Sequence, residues 1–214
     1  MESPFRDSLP DGLSLFETLR WTPGDGALRG DRHLARMARA ARRLGFPFDG
    51  AEARALLQGL TGDAPLRVRL ALFPDGRFEL TTAPYTPVQG VWRLRIAEAR
   101  VRADDPWRGV KTTQRALYDA ARAALPEDCD ELLFLNERGM LCEGTITNLF
   151  VARGGVLLTP PLSAGCLPGI LREELLETGR AQEADVTMED LRAAPALFVG
   201  NSLRGLIPAV LAEG

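Results

Sequence analysis

The sequence is almost without lysine. All but one of its 26 lysine-plus-arginine residues are arginine, and the exception is Lys111. It has one histidine, His33, and three cysteines (Cys129, Cys142, Cys166) with no Cys-x-x-Cys pair. A single histidine excludes a multi-histidine metal site and weighs against a Ser-His-Asp hydrolase. An odd cysteine count without paired spacing argues against a disulfide framework or a zinc ribbon. Reduced thiols, no metal and a cytoplasmic location are therefore expected. Basic excess is also missing. The net charge is −3 and the pI is near 5.4, which argues against a surface built to meet nucleic-acid phosphates. No apolar run is long enough to cross a bilayer, and the first residues, MESPFRDSLPDG, lack the basic-then-apolar pattern of a signal peptide.

What is present is ordinary for a globular protein: 214 residues, 45% hydrophobic and 26% charged, enough chain for one large domain or two small ones with a core. The lone lysine is the exception. Arginine and lysine exchange freely on solvated surfaces but not at special sites. A guanidinium stays protonated at neutral pH, whereas an ε-amine can serve as nucleophile or base. Composition alone leaves Lys111 open to two readings, a retained functional amine or a chance survivor.

Apolar periodicity divides the chain. Leu13–Trp21 alternates like a strand, and 22–26 reads as a turn. Asp31 is placed to cap a helix ending at Gly45, with Leu34, Met37, Ala41 and Leu44 as its apolar stripe. On that helix Arg36 falls opposite the stripe, with Arg32, Arg39 and Arg43, and reads as solvated. A second helix is expected over 51–60 and a hairpin over 66–80 around Pro74-Asp75-Gly76. The prolines of Pro84-Tyr85-Thr86-Pro87 mark a linker. Beyond it, strands are expected at 92–97, 131–135, 145–152, 156–159 and 196–200. Helices are expected at 114–124 and from Pro168-Gly169 to Thr178, and a loop or turn at 201–208. Two α/β or α+β lobes result.

Three short stretches could carry chemistry. In Cys142-Glu143-Gly144-Thr145-Ile146-Thr147-Asn148-Leu149-Phe150 a carboxylate at a strand end could hold a protonated pyridine nitrogen, or could simply be a turn glutamate. Leu167-Pro168-Gly169-Ile170-Leu171-Arg172 opens a helix whose first amides could take a phosphate, or is a plain Pro-Gly helix start. Gly200-Asn201-Ser202-Leu203-Arg204-Gly205 could complete a phosphate cradle, or be a turn.

Together with Leu15-Phe16-Glu17-Thr18-Leu19-Arg20, His33-Leu34-Ala35-Arg36 and Lys111-Thr112-Thr113, and in this order, these stretches resemble the successive blocks of the class-IV aminotransferase and lyase family, pyridoxal-phosphate enzymes of fold type IV. The resemblance covers nearly the whole chain. It implies a two-domain, α+β/α/β fold of the D-amino-acid-aminotransferase type: a small N-terminal α+β lobe (1–88) and a larger C-terminal, β-barrel-like lobe with helices that binds the cofactor (89–214). Lys111 falls on the Schiff-base lysine, Glu143 on the partner of the pyridine nitrogen, and Arg36 on the phosphate-binding arginine, against its periodicity. The amides of Ile170 and Leu171 and the hydroxyl of Ser202 fall on the rest of the phosphate cup. Asn148 falls near the cofactor and Phe16 on the substrate side.

Within the family the choice lies between branched-chain transaminase, D-amino-acid transaminase and 4-amino-4-deoxychorismate lyase. Three features favour the lyase. Asn201-Ser202-Leu203 is similar to its last loop. The strand 70–76 lacks the arginine-plus-histidine arrangement of D-amino-acid transaminases. The chain begins almost at its Phe-Glu-Thr block, a compact form that, with Lys-Thr-Thr and Pro-Pro-Leu-Ser-Ala-Gly, is similar to the lyase domain often fused to aminodeoxychorismate synthase component I. The resemblance thus implies release of 4-aminobenzoate and pyruvate for folate biosynthesis, a homodimer and a functional link to that synthase. Arg69, Arg115 and Arg204 are candidates for the substrate carboxylate.

Overall fold

The computed structural model describes residues 9–212, so residues 1–8, where no signal pattern was read, lie outside the described residues. The chain divides into two compact units. One holds the residues up to Pro87 together with Val110–Gln114; the other holds Val88–Gly109 and the remainder from Arg115. The expected boundary after residue 88 assigns Lys111 to the C-terminal part. In the structure the short segment that carries it packs with the first unit.

In that unit β1 (Leu15–Thr22) pairs antiparallel with β3 (Leu66–Leu72), flanked by the short β2 (Gly26–Ala27) and by β4 (Phe78–Pro84). Two helices, α1 (Gly30–Leu44) and α2 (Gly50–Gln58), lie between β2 and β3 in sequence. The stripe Leu34, Met37, Ala41 and Leu44 is buried, as its spacing predicts. Gly45 ends α1 in the left-handed region at φ 77°. The start differs from expectation. Arg29, itself left-handed at φ 57°, occupies the cap position with no side-chain cap, and Asp31 sits within the first turn. There its charge still favours the helix N-terminus.

The second unit runs β5 (Trp92–Val101), α3 (Ala116–Ala123), β6 (Glu131–Asn136), β7 (Leu141–Gly144), β8 (Asn148–Arg153), β9 (Val156–Thr159), α4 (Ile170–Glu177), β10 (Ala181–Glu183), α5 (Met188–Ala193), β11 (Leu197–Asn201) and β12 (Gly205–Leu211). Its sheet has the order β10-β9-β8-β11-β12-β5-β6-β7, and β7 also pairs with β8, so the sheet closes on itself as a barrel. The pair that closes it is Glu143 opposite Asn148. The core is aliphatic, with Leu94, Leu133, Leu141, Leu149, Val186 and Val199 fully buried. The expected barrel-like C-terminal lobe is therefore present. Among the described residues no helix is long and apolar enough to cross a membrane.

Two expectations of local structure are corrected. Thr145–Thr147 was expected to begin a strand, yet it is the turn between β7 and β8. The buried carboxylate of Glu131 overrides the strand preference of Thr-Ile-Thr. It accepts the amides of Thr145 (3.0 Å) and Ile146 (3.2 Å) and the hydroxyls of Thr145 and Thr147 (2.9 Å for the latter). Gly144 is required here, because an added Cβ would lie 2.7 Å from Glu131 Oε2. The expected loop over 201–208 instead turns within 202–204 and continues as β12. Pro208 is accommodated because the pairing with β5 begins only at Ala209.

Glu131→Ala leaves these buried donors without an acceptor. It is expected to lower the unfolding free energy by about 3 kcal/mol, read as an earlier urea midpoint. A loss below about 0.5 kcal/mol, the range of surface substitutions, would contradict the role of Glu131 in holding the turn.

Candidate active site

In the first unit the lysine segment is added to the edge of β1. Thr112 bridges Leu15, Phe16 N–H donates to Lys111 O at 3.1 Å, and Thr113 N–H donates to Ser14 O at 3.0 Å. The Thr113 hydroxyl oxygen accepts the Ser14 amide at 3.0 Å. The backbone of Lys111 is thereby fixed, and its Nζ lies 4.6 Å from the centre of the Phe16 ring. Arg69 reaches the same ring, with Cζ 3.8 Å from its centre. The register explains this. Thr18 faces Arg69 and Phe16 faces Ala71, so Phe16 and Arg69 are diagonal neighbours on one face of the sheet. Of the three arginines proposed for a substrate carboxylate, Arg69 is the one that shares the Phe16 ring with Lys111 in this unit. Arg115 and Arg204 belong to the second. Arg115 is engaged by Asp119 at 2.7 Å and Thr145 O at 2.9 Å, and Arg204 lies 6.0 Å from the Trp92 ring.

Arg36 is buried, so its periodicity reading fails. Its Nε donates to Glu17 Oε1 at 2.9 Å and its Nη2 to Oε2 at 2.5 Å, while His33 Nδ1 lies 2.6 Å from Oε2. Burial alone would raise the Glu17 carboxyl, but Arg36 and His33 together bring it down to about 2. Burial, helped by the Arg36 and Lys111 charges, pushes His33 below its ordinary value despite Glu17. A neutral His33 donating from Nδ1 fits that balance. Sequence reasoning passed over Glu17. The available signal was its place between Leu15, Leu19 and Trp21 on the inward face of β1, where an acid demands a buried partner.

In the second unit Glu143 is 7% exposed. Its Oε1 accepts the Tyr118 hydroxyl at 2.5 Å and its Oε2 the Leu167 amide at 2.9 Å. Burial and the Glu143 charge hold the Tyr118 phenol well above its usual range, so it remains the donor. Tyr118 is a site residue that sequence reasoning missed. On α3 it reads as ordinary core. Asn148 Nδ2 donates to Leu167 O at 3.0 Å, which ties that loop to the barrel-closing pair. A Cβ at Gly169 would run into Asn148 Oδ1, and one at Gly200 would lie 2.9 Å from Leu171 Cδ2 and 2.7 Å from Gly205 O. The start of α4 and the β11–β12 turn carrying buried Ser202 are therefore side by side, with glycines where these protein segments press together. Gly169 caps α4 without a side chain, which suits the amides of Ile170 and Leu171 to an anion.

In the second unit a buried carboxylate and an uncapped helix start beside a small hydroxyl turn suit a pyridine nitrogen and a phosphate, and in the first unit Lys111 supplies an amine of the kind that forms an imine with an aldehyde, so the residues of each unit fit pyridoxal phosphate. The thiols do not compete for the chemistry, because burial pushes Cys142 and Cys166 up to about 12.

The Glu17 cluster yields a pH prediction. A carboxyl lowered in the fold from 4.5 to about 2 stabilises fully above the unfolded value and loses that contribution as pH falls towards 2. Acid unfolding curves of the wild type are expected to show this loss over that window, and those of Glu17→Gln to lack it while starting less stable. Parallel slopes would contradict the assignment.

Comparison with known proteins gives the context. A family model described as amino-transferase class IV matches residues 14–211. A solved structure from Mesorhizobium loti, provisionally named an amino-acid aminotransferase, is 48% identical with a TM-score of 0.88, covering 94% of this chain and 100% of its own. The 4-amino-4-deoxychorismate lyase of Pseudomonas aeruginosa is 28% identical with a TM-score of 0.78, covering 92% and 82%. A provisionally named branched-chain-amino-acid aminotransferase of Thermotoga maritima is 26% identical over 91% of this chain and 76% of its own length. Lyase and transaminase names both occur, over one shared fold. The chain belongs to the class-IV aminotransferase family, whose cofactor is pyridoxal phosphate.

Proposed function

We propose that this chain is a 4-amino-4-deoxychorismate lyase, converting that compound to 4-aminobenzoate and pyruvate. The observation that carries the reading is the stack of Arg69 on Phe16 beside Lys111 Nζ. It gathers the reactive amine and a second cation around one aromatic ring, which suits a substrate ring bearing both an amine and a carboxylate. Pyridoxal phosphate, when bound, supplies an electron sink for the carbon that carries the substrate nitrogen. Lys111 is assigned as its anchor. Glu143 is assigned to its ring nitrogen, and Arg36, the Ile170 and Leu171 amides and Ser202 to its phosphate. Lys111 Nζ takes the proton from the nitrogen-bearing carbon and, as ammonium, delivers a proton to the departing enolpyruvyl group. The ring becomes aromatic and no keto acid is consumed.

The second reading is transamination of branched-chain or D-amino acids; the 48% identical relative is provisionally named an amino-acid aminotransferase, and the Thermotoga maritima relative a branched-chain-amino-acid aminotransferase. One experiment separates them. Cofactor-loaded protein given 4-amino-4-deoxychorismate without keto acid is expected to release equimolar 4-aminobenzoate and pyruvate over many turnovers. Lys111→Ala should abolish release, and Arg69→Ala should raise KM about tenfold or more through the lost charge-assisted contact. No release, with amino-group transfer once a keto acid is added, would overturn the lyase reading in favour of the transaminase.

A further inference from the structure

An ionised carboxylate only accepts hydrogen bonds, and both oxygens of Glu143 are met by donors, Tyr118 and the Leu167 amide. We propose that Tyr118 is a positioning residue for the cofactor: its hydroxyl fixes the Glu143 carboxylate in one orientation and in its ionised form, so that the proton they share resides on the cofactor's ring nitrogen. This rests on the assignment of Glu143 to that nitrogen.

A proton between a pyridine nitrogen and a carboxyl has two placements, pyridinium with carboxylate or pyridine with carboxylic acid. Donors aimed at the carboxylate are stronger towards its ionised form and favour the first. The Tyr118 hydroxyl is well held for this. Its ring meets Phe134 edge-on at 5.0 Å and 82°, while Arg108 and Arg115 lie 4.8 and 5.5 Å from its centre. The other donor is equally fixed, because Leu167 O accepts Asn148 Nδ2. Aromatic, cationic and backbone contacts thus converge on one carboxylate whose charge sets the electron demand of the ring.

The test uses full-length protein loaded with cofactor labelled with 15N at the ring nitrogen, whose chemical shift reports its protonated fraction. Thermal unfolding reports the fold. Wild type is expected to hold a protonated nitrogen and Glu143→Gln to lose it. Tyr118→Phe is expected to shift the partition about tenfold towards the neutral nitrogen, the scale of one charge-assisted hydrogen bond, and to weaken cofactor affinity in protein that still unfolds cooperatively, at a somewhat lower midpoint. If Glu143→Gln leaves the signal unmoved, the assignment of Glu143 falls and the proposal with it. If Glu143→Gln moves the signal and Tyr118→Phe does not, the role of Tyr118 alone is overturned. A measurement that spares the fold is 19F NMR after 3-fluorotyrosine incorporation at the chain's two tyrosines, with Tyr85→Phe to assign the signals. The Tyr118 signal is expected to move on cofactor loading, and a signal blind to loading overturns the proposal.

Discussion

Burying a carboxylate costs several kcal/mol unless donors meet it, and the described residues bury three glutamates: Glu17, Glu131 and Glu143. Each collects its partners from distant parts of the sequence, and those partnerships shape the chemistry-bearing regions. Glu17 draws Arg36 and His33 of α1 onto β1. Glu131 folds the turn that follows Gly144. Glu143 is left in the barrel-closing pair, opposite Asn148, with both carboxylate oxygens met by donors. The second and third are coupled, because the turn held by Glu131 separates Glu143 from Asn148 by four residues only.

Much of this was legible in the sequence. The α1 stripe, the 66–80 hairpin and the helix after Pro168-Gly169 follow from local patterns that tertiary contacts do not overrule. Lys111 stood out for a chemical reason, since an arginine-rich chain has no substitute for an amine. The resemblance supplied Glu143, Asn148 and Ser202, which periodicity cannot distinguish from turn residues.

The rest was hidden because it depends on pairing. Arg36 looks solvated to any measure that counts arginine as polar, and its burial becomes tolerable where the acid on β1 meets it. Tyr118 sits on a helix where an aromatic usually means core, and its hydroxyl acquires a role only when β7 brings Glu143 within 2.5 Å. The 145–147 turn carries strand-forming residues and is bent by a carboxylate more than ten positions away. In each case a long-range electrostatic partner overrides a local preference, and a single sequence shows the preference but not the partner.

Central to the account is that the one lysine carries the cofactor. Borohydride trapping of pyridoxal phosphate on the loaded protein, followed by peptide mass spectrometry, tests this directly, since only Lys111 and the N-terminal amine can be labelled. A single pyridoxyl adduct on Lys111, absent from Lys111→Arg, is the predicted result. An adduct confined to the N-terminus, or none on a protein that has bound the cofactor, would contradict it.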